Sequence, residues 1–118
     1  MASIQLKDEE LVVRLTTPEK LASLHDDVRV PSRAIKKVAV EPRPLEAVRG
    51  LRAPGLSIPG RTKIGTWRRF RHRGFVVARR GVPAVRLRLT HGPYDDVLVS
   101  TRDAEATAAA IRERWSGA

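Results

Sequence analysis

The chain has 118 residues, 42% of them apolar and 4% aromatic, with a formal net charge of +10 and no cysteine. This length fits one domain with an aliphatic core and is too short for two, so residues 1–118 are read as a single unit. The missing thiols exclude disulfides, thiolate nucleophiles and cysteine metal sites, and fit a reducing compartment.

The stretch from Met1 to Glu10 is interrupted by acids too early for a signal peptide, and no run approaches the roughly 18 apolar residues of a membrane span. A cytoplasmic location is expected, with a place at the inner face of the membrane left open. Leu11-Val12-Val13-Arg14-Leu15 reads as a first strand with Leu11, Val13 and Leu15 on one face. Thr17 then caps a short helical stretch, with Pro18 at its first position and Leu21 and Leu24 one turn apart. Val28-Arg29-Val30 is a short strand limited by Pro31. A turn at Ser32–Ile35 leads into Lys36-Lys37-Val38-Ala39-Val40.

Residues 42–61 hold Pro42, Pro44, Pro54, Pro59, Gly50, Gly55 and Gly60, and are expected to be a long irregular loop over one end of the core. Three strands follow, Thr62–Arg68, Gly74–Arg79 and Pro83–Thr90. The third shows the cleanest alternation, Val85, Leu87 and Leu89 against Arg86, Arg88 and Thr90. Arg80-Gly81-Val82-Pro83 reads as a hairpin turn, His91–Tyr94 as the next turn, and Asp96–Ser100 as the last strand. A helix over 101–115 closes the chain. Ser100 and Asp103 are placed for a capping box, and Ala104, Ala108, Ile111 and Trp115 form one apolar stripe. The expected fold is mainly β: a bent antiparallel sheet of six to seven strands capped by one C-terminal helix.

That element order resembles the pleckstrin-homology-like (PH-like) fold, a strongly bent antiparallel sheet or partly open barrel plugged by a helix. Val30-Pro31-Ser32-Arg33-Ala34-Ile35-Lys36-Lys37-Val38 looks like the V-P-x-x-x-I-x-x-V segment of bacterial PH domains. Arg49-Gly50-Leu51-Arg52-Ala53-Pro54-Gly55, Ile58-Pro59-Gly60, Gly65-Thr66-Trp67, Pro93-Tyr94-Asp95 and Asp103-Ala104-Glu105-Ala106 are similar to stretches of a family of small actinobacterial PH-like proteins. The resemblance covers most of the chain, and it carries no catalytic or ligand residue onto it. Eukaryotic PH domains often bind phosphoinositides around their first hairpins, whereas the bases here peak later.

Charge is the strongest functional signal. The 48 residues from Ala47 to Tyr94 hold 12 Arg/Lys and no acid, while the rest of the chain carries a net −2. Such a one-signed segment points to an anionic partner. Its densest part is Arg68, Arg69, Arg71 and Arg73 around Phe70, at a hairpin tip where guanidiniums are either solvated or matched by an anion. Phe70 is a candidate for entering a lipid interface, stacking on a base, or lying over the sheet edge. Arg79, Arg80, Arg86 and Arg88 are expected to extend this tip into one positive face through hairpin pairing, with Arg49, Arg52, Arg61 and Lys63 as a rim. The competing reading is an ordinary solvated surface, and the 18 arginines also fit a G/C-rich genome.

Catalysis has little support. His25, His72 and His91 lack metal-ligand spacing. Asp95-Asp96 reads as a solvated turn or strand edge rather than an acid–base pair. The glycines at 50, 55, 60 and 65 lack the Gly-Lys-Ser/Thr of a nucleotide loop. The expectation is therefore a non-enzymatic binding module with no cofactor and no metal, working through its basic face on an acidic protein surface. Anionic lipid headgroups are the second partner class and non-specific nucleic acid the third. A homodimer through a sheet edge or the long loop is compatible with the sequence.

Overall fold

The computed structural model describes residues 2–23, 26–47, 51–58, 62–69 and 71–115. Period-two alternation builds most of it. In chain order the elements are β1 (Ser3–Leu6), β2 (Glu10–Arg14), α1 (Thr17–Ser23), β3 (Val28–Pro31), a 3-10 turn at Ser32–Ala34, β4 (Ile35–Glu41) and α2 (Pro44–Ala47). Then come β5 (Leu51–Ile58), β6 (Thr62–Arg69), β7 (His72–Arg79), β8 (Ala84–Leu89), β9 (Asp96–Ser100) and α3 (Ala104–Arg114). The strands form two sheets. One has three antiparallel strands in the order β1-β2-β3, and the other has six in the order β4-β8-β9-β7-β6-β5.

The domain is mainly β with a C-terminal helix, but nine described strands replace the expected six to seven. One addition, β1, is only four residues long, too short to read in sequence. The other, β5, overturns part of the expected loop over 42–61. Its Pro54 and Gly55 argue against a strand in the middle of a sheet, yet β5 lies at an edge, paired only with β6, and its register shifts between Arg52 and Gly55. An edge strand with a bulge tolerates a proline that donates no ladder hydrogen bond. The expected cover over one end of the core concerns side chains of residues 51–58, which lie outside the described set.

One pairing departs from an antiparallel sheet. β7 and β8 follow each other through a tight turn but are not neighbours, because β9 lies between them, antiparallel to β8 and parallel to β7. Ser100 explains how one end of β9 is held. Its hydroxyl accepts the Arg79 backbone N–H at 2.9 Å and donates to the Val82 carbonyl at 2.9 Å, so it bridges both sides of the turn. At the other end the Asp95 N–H donates to the Arg73 carbonyl, and Asp95 Oδ2 accepts the Arg73 N–H, both at 2.7 Å.

The main core joins both sheets and α3. Leu11, Val13, Val28 and Val30 come from the small sheet. Phe75, Val77, Val85, Leu87, Val97 and Val99 come from the large one, and Ala104, Ala108 and Ile111 from α3. Each such large aliphatic or aromatic side chain contributes about 1.5–3 kcal/mol on burial. Trp115 packs partly against this core, completing the helical stripe, and α3 lies against β4 and β8. The opposite face of the large sheet holds a smaller cluster of Trp67, Val76, Ala78, Ala84 and Leu98, with Leu45 of α2 packed on it.

Both helix starts differ from expectation. The cap of α1 is Thr16, not Thr17: the Glu19 N–H donates to Thr16 Oγ1 at 3.4 Å, and the Thr16 N–H to Glu19 Oε1 at 2.8 Å, a reciprocal capping box. At α3 the residue before the helix is Asp103, in the left-handed region at φ 55° and with no side-chain cap bond. Ser100 does not cap α3, because its hydroxyl is engaged at the β7–β8 turn.

Candidate functional site

The expected continuous basic face is divided by the sheet itself. Arg79 shares its face of β7 with Phe75 and Val77, the core face, whereas Arg86 lies on the opposite side of β8 from Val85 and Leu87. With β9 inserted between the strands, Arg79 and Arg80 do not pair across to Arg86 and Arg88. Several of the candidate bases are instead engaged within the fold.

Arg79 reaches α1. Its Nη2 donates to Glu19 Oε2 at 2.8 Å, and the Ala2 backbone N–H donates to the same oxygen at 3.2 Å. Glu19 is fully buried. Burial alone raises its carboxyl pKa, but the hydrogen bonds from Arg79 and Thr16 and the Arg79 charge outweigh that, leaving it below its ordinary 4.5.

Arg86 is the centre of a second network. Nη1 lies 3.2 Å from Glu41 Oε1 on β4, and Nη2 lies 3.1 Å from Asp96 Oδ2 on β9. The His72 ring nitrogen Nε2 stands 3.2 Å from that same Asp96 oxygen. Gly74 pairs with Asp96 across the β7–β9 ladder and makes the space, since a Cβ there would stand 2.5 Å from Asp96 Oδ1. Of the two aspartates expected in a solvated turn or strand edge, Asp95 is exposed as expected and Asp96 is not. Asp96 is buried at 8% exposure in an ion network, and Asp95 clamps the β7 backbone.

At the tip of β6–β7, Arg68 is exposed and faces Arg73 across the ladder. The Arg73 guanidinium lies 5.3 Å from the centroid of buried Tyr94, a cation–π contact, and Tyr94 in turn packs against Phe75. Arg71 is exposed in the turn with φ 54°. Arg69 and Arg52 are described in backbone only, and Phe70, Arg49, Arg61 and His25 lie outside the described residues. Lys63 is half-buried, with Nζ 3.4 Å from the Leu45 carbonyl. Trp67 is buried in the smaller cluster, at 6% exposure.

Arg80 and Arg88 are exposed. Beside Arg88, across the β4–β8 ladder, stand exposed Lys36 and Lys37, which the sequence reading placed in a strand without assigning them a binding role. Their exposure depends on a register shift that residue spacing does not reveal.

Among the described residues no group of three His, Cys, Asp or Glu is placed to hold a metal ion. No described helix is long and apolar enough to cross a membrane. No family model, curated protein or solved structure matches the chain.

Proposed function

We propose that this chain is a non-catalytic binding module whose exposed bases engage an acidic partner protein in the cytoplasm. The observation that carries this reading is a division of labour among the arginines. Arg79 and Arg86 balance carboxylates inside the fold, while Arg68, Arg80 and Arg88 remain exposed on a chain of charge +10. Among the described residues, three buried groups that could do chemistry are held by structural partners: Glu19 by Arg79, Asp96 by Arg86 and His72, and Ser100 by the β7–β8 turn. A field of one sign on such a scaffold attracts an anionic partner.

The PH-like assignment is a further part of the proposal. It is supported by the C-terminal helix packed against β4 and β8. The parallel β7–β9 pair departs from an all-antiparallel PH sheet, and a member of the actinobacterial group with the same strand order would reconcile the two.

Fluorescence anisotropy with three probes over a salt series tests the function. The probes are an oligoglutamate peptide, phosphatidylserine vesicles and single-stranded oligothymidine. The proposal expects the peptide to bind at low salt and release steeply as salt rises. Binding to vesicles or oligothymidine alone reassigns the partner class, and binding to none of the three overturns the proposal.

A further inference from the structure

The β4–β8 ladder contains a bulge: Ile35 faces Leu89 and Lys37 faces Arg88, so β4 advances two residues while β8 advances one. In an uninterrupted strand Ile35, Lys36, Lys37 and Val38 alternate between faces, which sends one lysine inward. The bulge re-aims the chain, and Lys36 and Lys37 are both exposed between buried Ile35 and Val38. Opposite Lys37 stands exposed Arg88, and exposed Lys36 is the adjacent bulge residue, so three cations are neighbours along the β4–β8 ladder. Like charges directly across a ladder are destabilising by themselves. The carboxylate opposite Arg88 on β9 is Asp96, already engaged by Arg86 and His72.

We infer that Lys36, Lys37 and Arg88 form a docking surface for an acidic polypeptide segment, an inference that rests on the binding-module reading above. Charge complementarity selects the occupant. A carboxylate accepts two parallel hydrogen bonds from the Arg88 fork, and a second carboxylate answers the two lysine point charges. Surfaces that grip single-stranded nucleic acid add exposed aromatic rings for stacking, and among the described aromatic side chains Trp67, Phe75 and Tyr94 are buried and Trp115 is half-buried against the core. Interfacial lipid binding adds an apolar wedge beside the bases. The large exposed apolar side chain among the described residues, Leu21, belongs to α1, which packs by β5 and β6 at the sheet edge opposite β4.

The test compares oligoglutamate binding by the wild-type chain, by Lys37→Glu/Arg88→Glu, and by Arg68→Glu/Arg80→Glu, with circular dichroism confirming the fold of each. All four side chains are exposed, so folding is expected to survive. The ladder variant should weaken binding by about tenfold or more and flatten its salt dependence, a larger loss than the second variant causes by removing exposed bases outside the ladder. Arg88→Lys should recover part of the Arg88→Glu loss. If the second variant abolishes binding and the ladder variant does not, the ladder assignment is overturned and the binding module stands. If the wild-type chain does not bind oligoglutamate, the ladder assignment and the acidic-protein partner both fail.

Discussion

The Arg79 guanidinium stands 2.8 Å from Oε2 of a fully buried Glu19, and this pair ties the end of β7 to the first turn of α1. Removing only the cation leaves a carboxylate without water or its main counter-charge. Arg79→Ala is therefore expected to destabilise the fold by about 2–4 kcal/mol. The double variant Arg79→Ala/Glu19→Gln should be more stable than Arg79→Ala alone, because it no longer buries an unpaired charge. Urea unfolding measures both, and a double variant no better than the single one would contradict the electrostatic account.

Acid should loosen the same contact. The folded Glu19 carboxyl has a pKa below 4.5, so between that lower value and 4.5 the unfolded chain binds more protons and stability rises with pH. Its contribution is complete above 4.5 and is lost as pH falls through the folded value. Glu19→Gln should flatten the acid limb of the stability–pH curve. An unchanged limb in that variant would remove Glu19 from the explanation.

Gly74→Ala should be costly out of proportion to one methyl group. The new Cβ would meet Asp96 Oδ1 at 2.5 Å, and Asp96 cannot move without disturbing its contacts to Arg86 and His72. A loss of about 1–3 kcal/mol is expected. A neutral Gly74→Ala would show that the Asp96 network is loosely held.

Ser100→Ala should act at a distance from α3. It leaves the Arg79 N–H and the Val82 carbonyl without their shared hydroxyl partner in a buried position, costing about 1–3 kcal/mol. Faster amide exchange at Arg79 with unchanged exchange in the first turn of α3 is the expected signature. Faster exchange confined to α3 would restore Ser100 as its cap.

These residues also show what the sequence makes legible. The alternation of Val85 and Leu87 against Arg86 and Arg88, and the stripe Ala104, Ala108 and Ile111, are periodic signals that local geometry obeys. Ser100 looks like a helix cap because spacing reports only neighbours along the chain, whereas its partners lie on the β7–β8 turn. The place of β9 between β7 and β8 is equally non-local. Counting bases overstates the basic face for a related reason: charge in sequence does not distinguish Arg86, held by Glu41 and Asp96, from Arg88 beside it. Lys36 and Lys37 escape notice because they lie outside the acid-free stretch, and the bulge that turns both outward has no composition signal.

The central claim is that the chain meets an acidic polypeptide on the β4–β8 ladder. Amide chemical-shift mapping during an oligoglutamate titration of the ¹⁵N-labelled protein tests it most directly. The account predicts saturable, salt-sensitive shifts centred on Lys36, Lys37 and Arg88, with smaller changes around Arg68–Arg73. Shifts centred on the Arg68–Arg73 turn, or no saturable shifts at low salt, would contradict it.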